Sequence, residues 1–386
     1  MKYMYVVRQG YNIGGGLKPG IVMDTSSFPN PDLKWGRSRT YNLATDLGFW
    51  GNRFGLSFEY YWRYNTNMIT IAPSYLYPPS TGVDSNPPNM NFGEIKAWGW
   101  DLTLSHRNTI QKVKYDLTLT LAQTRDRVLD YGDESSIAPN RRRVGKSSMV
   151  WWMYEADGLF QTQEEIDNYE LNQDGQGNVT LGPGDIKYKD VNGDGVINSD
   201  DQVPLSYKAN YPRLMYGFGG EVRWKKLTLG FLFKGTGNVD NFCVDGYKAF
   251  GFLPFSSGET GNTLAITANQ ANRWTPREIS GDASTENPNA MFPRLSYGND
   301  HNSTQPSTFW KTNARYLRLQ EINLNYNLGA GKILKQLGVS SLDLQFVASN
   351  ICVWSPFKHF DPEQAYYNGG AYPIPARYAF QMYINF

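Results

Sequence analysis

The last stretch of the chain alternates apolar and polar residues with a period of two and runs to the final residue, a phenylalanine. One face of this stretch carries large apolar side chains, at Tyr378, Phe380, Met382, Ile384 and Phe386. Alternation of this kind predicts a β-strand with one apolar side. Such a side packs on a protein core or faces the hydrocarbon of a membrane, and the loops between strands distinguish these cases.

Eight further stretches show the same period of two. They span residues 41–49, 54–64, 98–104, 113–121, 214–224, 227–233, 317–328 and 342–346. One of them breaks phase, because Leu317 and Leu319 have the opposite parity to Ile322. We expect a β-bulge near Gln320 to restore the register.

Short and long connections alternate between these stretches. Tight turns are predicted at 50–52 and 225–226, and the longest connections are 126–212 and 236–314. An up-and-down outer-membrane barrel has this arrangement, with tight turns on the periplasmic side and long loops outside. We therefore predict an all-β fold over residues 1–386, a partial antiparallel transmembrane β-barrel of about nine strands with those two connections as extracellular loops. A large soluble β-domain is the alternative.

Composition agrees with a β-rich chain. Charged residues make up 19%, below the quarter that is usual for a soluble domain, and 15% are aromatic. Several aromatic residues lie near strand ends, as the girdles at the two lipid interfaces of a barrel would: Trp50, Trp62, Tyr64, Trp98, Trp100 and Trp224. A net charge of +1 argues against a nucleic-acid partner. No apolar run is long enough for a helical membrane span, and Met1 to Gly10 does not resemble an export signal.

The most specific short motif lies in the connection 126–212. It runs from Asp190 to Asp201 and places oxygen ligands at the spacing of a 12-residue calcium loop, with Gly195 at the sharp turn. The predicted ligands are Asp190, Asn192, Asp194, the carbonyl of Val196, Asn198 and Asp201. Asp201 is shorter than the usual glutamate, so we expect modest affinity. The alternative is an Asn/Asp/Gly-rich turn that binds no metal.

Catalytic patterns are sparse, and we expect that the protein is not an enzyme. The sequence holds only three histidines, and neither a zinc-protease motif, a nucleophile elbow nor a P-loop occurs. Glu164, Glu165 and Asp167 supply the residue types of a glycosidase acid and base pair. The simpler interpretation makes them surface charges on a short helix.

Loop aromatics and cysteines leave two questions open. The aromatic side chains either stack on a sugar or peptide ligand or pack the loops on one another: Tyr75, Tyr77, Trp151, Trp152, Trp310, Trp354, Tyr366 and Tyr367. Cys243 and Cys352 are the only cysteines, and their spacing fits either a disulfide or two thiols.

Several short motifs occur in the order in which one protein family has them. These are Asn30–Trp35, Glu155–Phe160 with Glu165 and Ile166, Gly184–Lys189, Tyr211–Arg213, Tyr316–Leu319, Asp361–Glu363 and the terminal Phe386. They resemble the motifs of SusC/RagA-type TonB-dependent outer-membrane transporters along nearly the whole chain. Gly36 departs from the family pattern, which usually shows glutamate there.

The resemblance implies uptake of an oligosaccharide or peptide across the bacterial outer membrane. It also implies a SusD-like surface lipoprotein and the TonB complex as partners. A plugged transporter barrel has about 22 strands, so the chain looks like the C-terminal part of such a transporter, without plug, TonB box or signal peptide. The alternative function is a surface-exposed carbohydrate-binding or adhesion protein without transport activity.

Overall fold

The computed structural model describes residues 5–13, 16–23, 30–71, 88–132, 137–207, 211–242, 268–295, 302–303, 305–329, 331, 336, 338–358, 360–367 and 371–386. The strands are β1 (Tyr5–Ile13), β2 (Gly16–Met23), β3 (Arg37–Phe49), β4 (Phe54–Thr66), β5 (Ile69–Ile71), β6 (Asn89–Asn91), β7 (Glu94–Ile110), β8 (Val113–Asp130), β9 (Val150–Met153), β10 (Ala156–Leu159), β11 (Ile186–Tyr188), β12 (Val203–Tyr207), β13 (Leu214–Trp224), β14 (Leu227–Thr236), β15 (Asp240–Phe242), β16 (Lys311–Asn313), β17 (Tyr316–Asn327), β18 (Ser341–Trp354) and β19 (Arg377–Asn385).

Helices are short. Two are α-helices, α1 (Gln163–Asp167) and α2 (Arg277–Ser280), and five are 3-10 helices at Pro139–Arg141, Ser199–Asp201, Ala283–Thr285, Thr308–Trp310 and Pro362–Tyr367. Within the described ranges, none of the helices has the length and apolar character needed to cross a membrane.

Nine strands form one sheet in the order β19-β18-β17-β14-β13-β8-β7-β4-β3. This spatial order is the chain order, as in an up-and-down sheet, and the neighbouring strands from β8 through β19 pair antiparallel. These are the nine strands that the alternating pattern predicts. The strand β3 lies at one edge of the sheet and β19 at the other. Five two-stranded sheets accompany it, among them β9 with β12 and β10 with β11.

The two faces of the sheet differ as the sequence pattern requires. Between β8 and β13, Leu119 pairs with Phe218 on one face and Asp116 pairs with Glu221 on the other. Since side chains alternate along a strand, the apolar residues of neighbouring strands share one face and the polar residues share the other. We call these the outer and the inner face.

A register shift in β17 confirms the bulge at Gln320. Glu321 pairs with Leu232 of β14, but the next pair is Leu319 with Phe233. Gln320 is the extra residue, and it keeps the apolar residues on both sides of it on the outer face.

The chain divides into two compact units. The first comprises Met1–Leu43, Tyr60–Gly99 and Arg125–Ser148, and the second comprises Ala44–Glu59, Trp100–Thr124 and Met149–Phe386. The first unit includes the ends of β3, β4, β7 and β8 that lie away from the tight turns. The second includes the opposite ends of those strands, the other five strands of the sheet and the long connections from Met149 onwards.

The hydrophobic core of the second unit lies in the loops rather than on the sheet. Its main cluster comprises Met153, Tyr154, Leu159, Ile186, Tyr188, Ile197, Val239, Trp274, Ala290, Phe292, Trp310, Ala314 and Phe357. These residues come from three separate connections of the nine-stranded sheet, so these loops pack on one another.

Candidate functional site in the long loops

The loop Asp190–Asp201 follows β11 and ends in the 3-10 helix Ser199–Asp201. Gly193 and Gly195 have positive φ angles of 76° and 82°. Glycine adopts these angles without steric cost, so both residues let the backbone turn sharply. The sequence therefore folds this segment into a closed loop at the predicted position.

The carboxylate of Asp190 holds the first half of the loop. Its Oδ1 accepts a hydrogen bond from the backbone N–H of Gly193 at 2.6 Å, and its Oδ2 accepts one from Gly195 at 2.8 Å. The bond from Gly195 is the main cause that keeps the pKa of Asp190 below its ordinary value. The side chain is consequently ionised at neutral pH, as a cation ligand must be.

Asp201 closes the loop from a fully buried position. Its Oδ1 accepts a hydrogen bond from the N–H of Val191 at 2.8 Å, and its Oδ2 accepts one from the N–H of Asn198 at 2.8 Å. Asp201 therefore binds N–H groups from both the start and the end of the loop.

The middle ligands are arranged differently. Asp194 accepts a hydrogen bond from the N–H of Val196 at 2.9 Å and another from the Asn192 side-chain amide at 2.9 Å. The Asn198 side chain accepts one from the N–H of Asp200 at 2.7 Å. In the part of the chain that the structure covers, no three acidic, histidine or cysteine side chains converge as a metal-holding group. The structure therefore uses Asp190 and Asp201 to bind backbone N–H groups of the loop and directs Asp194 towards its own turn.

A second Asp/Asn/Gly loop, absent from the sequence-based predictions, lies beside the first. The N–H of Asn172 donates to the carbonyl of Gly195 at 2.9 Å, and the N–H of Ile197 donates to the carbonyl of Asn172 at 3.0 Å. Ile197 is buried in the loop core. The calcium-type loop is thereby fixed on one side by a short stretch of parallel pairing.

Asp174 organises this second loop as Asp190 does the first. Its Oδ1 accepts hydrogen bonds from the N–H groups of Gln176 and Asn178, at 2.7 and 2.8 Å, and its Oδ2 accepts one from the N–H of Thr180 at 2.9 Å. Burial alone would raise the pKa of Asp174, but these bonds lower it. The Asp, Gly and Asn residues between 172 and 178 are the sequence feature from which this second loop could have been predicted.

A buried ion pair joins the two longest connections. Asp185 is 1% exposed, and its carboxylate accepts two hydrogen bonds from the guanidinium of Arg294, at 2.6 and 3.0 Å. The neighbouring Gly184 has a φ of 91°, and a Cβ added there would lie 2.4 Å from the Trp274 ring. Only glycine fits here, because the ring occupies the space of a side chain.

A second ionic cluster attaches the loop after β18 to the sheet. The Arg318 guanidinium of β17 is 3% exposed; it donates to Asp361 at 2.5 Å and to Glu363 at 2.5 Å. Lys234 of β14 donates to the other oxygen of Glu363 at 2.9 Å. These residues include the Asp361–Glu363 and Tyr316–Leu319 motifs, so both motifs have a structural role in one network.

The acidic residues considered as a catalytic pair serve the helix α1 instead. Glu165 forms an ion pair with Lys187 at 2.6 Å and accepts a hydrogen bond from the N–H of Gln161 at 2.7 Å. Burial opposes ionisation of Glu165, but these bonds keep its pKa below the ordinary value. A general acid needs a raised pKa. The surface-charge interpretation therefore describes Glu165 better.

The loop aromatics separate into two groups. Trp310 is buried in the loop core and Trp151 packs against it, whereas Trp354 is 52% exposed. Tyr75, Tyr77 and Cys243 lie outside the described residues, as do the side chains of Tyr366 and Tyr367. Packing therefore accounts for Trp310 and Trp151, and the possible Cys243–Cys352 disulfide remains a prediction.

Curated relatives match nearly the whole chain, although no family model matches it. A TonB-dependent receptor of Formosa agariphila is 27% identical over 99% of this chain and 37% of its own length. The TonB-dependent receptor SusC of Bacteroides thetaiotaomicron is 22% identical over 86% of this chain and 30% of its own length. The chain thus spans about a third of the length of these relatives.

Solved structures agree on the fold. The structure titled "RagAB peptide importer in the 'open-open' state" matches 100% of this chain with a TM-score of 0.67 at 19% identity, over 38% of its own chain. The structure titled "RagAB peptide transporter" matches 99% with a TM-score of 0.66 at 19% identity. At this identity the likeness establishes the fold alone, and it confirms the predicted antiparallel β-barrel wall.

The relatives are receptors rather than enzymes, in agreement with the prediction that the protein is not an enzyme. The motifs, the nine-stranded sheet and the curated relatives all indicate a resemblance to the same family. The chain is therefore similar to SusC/RagA-type TonB-dependent receptors, which are proteins of the bacterial outer membrane.

Proposed function

We propose that the protein takes part in TonB-dependent import of an oligosaccharide or peptide across the outer membrane. The observation that carries the proposal is the match of nearly the whole chain to TonB-dependent receptors, SusC among them. The polar inner face of the sheet supports it, since a solute must pass along a hydrated wall. The "peptide importer" title of the RagAB structure supports peptide as one substrate class.

The proposed partners are a SusD-like surface lipoprotein and the TonB complex. The packed loops support a lipoprotein partner, because a surface that holds its shape before binding loses little entropy on docking. The Asp185–Arg294 pair and the Arg318 cluster provide this rigidity in the described loops.

Uptake measured in the source bacterium tests the proposal. A strain lacking this gene should lose accumulation of a fluorescently labelled oligosaccharide or peptide, and collapse of the proton gradient should abolish uptake in the parent strain. Separate sugar and peptide pools would identify the substrate class. Surface binding without any gradient-dependent accumulation in the parent would instead support the adhesion alternative and contradict the proposal.

We also propose that the loop Asp190–Asp201 binds Ca²⁺. All predicted donors are oxygens, which Ca²⁺ prefers, and the Asp190 and Asp201 carboxylates are both held by backbone N–H groups of the loop. A bound ion would draw Asp194 into the same site and hold it there. The loop would then be stiffest where it packs beside Asn172.

Metal content and proteolysis test the calcium proposal. Asp190→Asn together with Asp194→Asn should remove bound calcium after dialysis and speed cleavage within 190–201 by roughly tenfold, because loop opening is then less costly. The matched control is Asp167→Asn on α1, whose side chain lies outside the loop. Equal calcium content and equal cleavage in both proteins would contradict calcium binding at this loop.

A further inference from the structure

The outer face of four adjacent strands carries a row of cations above a band of aromatic rings. The strands are β8, β7, β4 and β3, which neighbour one another in that order. The row consists of Arg127 on β8, Lys96 on β7 and Arg39 on β3. All these positions belong to the first compact unit. We call these three residues the basic row.

The register of β3 and β4 places Arg39 at a defined height. The Tyr41 and Trp62 rings stack with centroids 5.4 Å apart, and the Arg63 guanidinium donates to the Thr40 hydroxyl at 2.9 Å. Both pairs belong to one antiparallel register, and the next outer-face pair in it is Arg39 with Tyr64. Arg39 therefore lies one step above the stacked Tyr41 and Trp62.

The register of β7 and β8 places Lys96 and Arg127 together. Gln111 and Lys112 alone separate the two strands, and the Trp100 indole donates to the Gln123 side chain at 3.0 Å. This hairpin register sets Lys96 opposite Arg127. By the same register, Trp98 lies opposite Arg125, one step lower.

Lys96 connects the two hairpins. Its Nζ lies 5.4 Å from the centroid of the Tyr64 ring and 5.7 Å from the Trp98 ring. The order across the four strands at this height is therefore Arg39, Tyr64, Lys96 and Arg127. One step below it are Tyr41, Trp62, Trp98 and Arg125.

Charge on these strands is sorted by face. Arg125 and Arg127 lie on the outer face of β8, whereas the alternate residues Asp126 and Asp130 lie on the other. The Asp126 carboxylate accepts hydrogen bonds from the N–H and the hydroxyl of Ser148, both at 2.6 Å, so it binds the loop after β8. Glu94 is the one acidic residue on the outer face of the described β3, β4, β7 and β8. This face therefore has a clear positive excess.

The basic row lies at the height of the lipid headgroups. It is at the ends of the strands away from the tight turns, which place it at the extracellular interface in a barrel of this kind. Below the aromatic band, most outer residues are apolar down to Phe49 and Val113. Long basic side chains at such a boundary keep their stems on apolar surface and their charges among headgroups.

We propose that the basic row, with Arg125, binds the phosphorylated headgroups of lipids in the outer leaflet. Arginine forms paired hydrogen bonds with phosphate, and Tyr64 offers an aromatic surface between the cations. The site goes beyond solute import, since it faces lipid rather than the lumen. The proposed ligand is the phosphate group of a lipid rather than a free anion.

Binding of diphosphoryl lipid A to the purified receptor in detergent tests this site, with the same lipid dephosphorylated as the comparison. Each basic residue contributes about fivefold to binding at an anionic surface. Arg39→Gln, Arg125→Gln and Arg127→Gln combined should therefore weaken binding by roughly 100-fold, and added salt should weaken it in the unaltered protein. The corresponding triple substitution to Lys should retain most of the affinity.

The matched control removes the same charge elsewhere. Lys112→Gln, Lys114→Gln and Arg223→Gln alter the tight-turn end and should leave lipid binding unchanged. Equal weakening by this control, equal binding of the dephosphorylated lipid, or full displacement of the lipid by inorganic phosphate would overturn the proposal. Heat-modified migration on gels checks that each variant is folded, and equal affinity of the folded Gln variant and the unaltered protein would also overturn it.

Discussion

Asp190 links the shape of its loop to pH. Its lowered pKa means that the folded loop favours the ionised carboxylate, mainly through the bond from Gly195. The stabilisation is therefore complete above the ordinary aspartate pKa and is lost as pH falls through the lower folded value. We expect acid to open this loop before it affects the sheet.

Hydrogen exchange measures this effect at two amides. Protection of the Gly193 and Gly195 N–H groups, corrected for intrinsic exchange, should decrease as pH falls below about 4. In Asp190→Asn the protection should be lower at neutral pH and should not change over that range. Constant protection from neutral to strongly acidic pH in the unaltered protein would show that Asp190 does not hold the loop.

A second prediction at the scale of single residues concerns the ion pair between Asp185 and Arg294. Asp185→Ala removes the carboxylate that binds the Arg294 guanidinium and should cost about 3 kcal/mol of loop stability, since a broken buried pair is costly. Protection of the surrounding amides should then fall by roughly 100-fold. Arg277→Ala, which breaks the exposed pair with Glu286, is the control and should change little. Similar effects of both substitutions would contradict this account.

Some of these residues were predictable and others were not. The motif Asp190–Asp201 was visible because its ligands are close together in sequence. Asp185 and Arg294 are 109 residues apart, and local spacing carries no information on which distant charges meet. Asp174 was missed for a different reason, since its turn resembles ordinary loop composition.

At the scale of elements, the bulge in β17 decides which side chains face the lipid. Gln320 is an extra residue, so its deletion leaves Leu319 on the outer face and Arg318 on the inner face. Deletion of Asn323, in the regular part of β17, would exchange the two faces and direct Arg318 outwards. This exchange would take Arg318 away from its ion pairs with Asp361 and Glu363 and turn its charge towards lipid, and both effects are unfavourable.

Outer-membrane levels of the two deletion variants test this prediction. The variant without Gln320 should still assemble. It loses the hydrogen bond that the Gln320 side-chain amide donates to the Asn350 side chain at 2.9 Å, so β17 and β18 should pair more weakly there. The Asn323 deletion should fail to assemble and be degraded. Equal assembly of both deletion variants would show that the alternation does not set the register.

The strands were predictable because their period of two reports which face is buried or lipid-exposed. Even the bulge was predictable, since Leu317, Leu319 and Ile322 carry the change of parity. The loop core was not. Trp310, Trp274 and Phe292 pack together from segments with no period, so their contacts depend on tertiary structure alone.

For the whole molecule, the sheet has a lipid-facing side, a polar side and packed loops that follow the long connections. This arrangement explains why charged residues are few and aromatic residues many. It also allows the proposed import and the proposed lipid binding to occur on one chain. The proposed import would use the inner face and the loops, and the proposed lipid binding would use the outer face.

Accessibility of spin labels along β8 tests the central claim most directly. Single cysteines at Leu117, Thr118, Leu119 and Thr120 are labelled in a background with serine at both native cysteines, and the protein is studied in membranes. Labels at 117 and 119 should collide mainly with oxygen dissolved in lipid, and labels at 118 and 120 with a water-soluble nickel complex. Accessibility that fails to alternate along these four positions would contradict a barrel wall with an outer and an inner face.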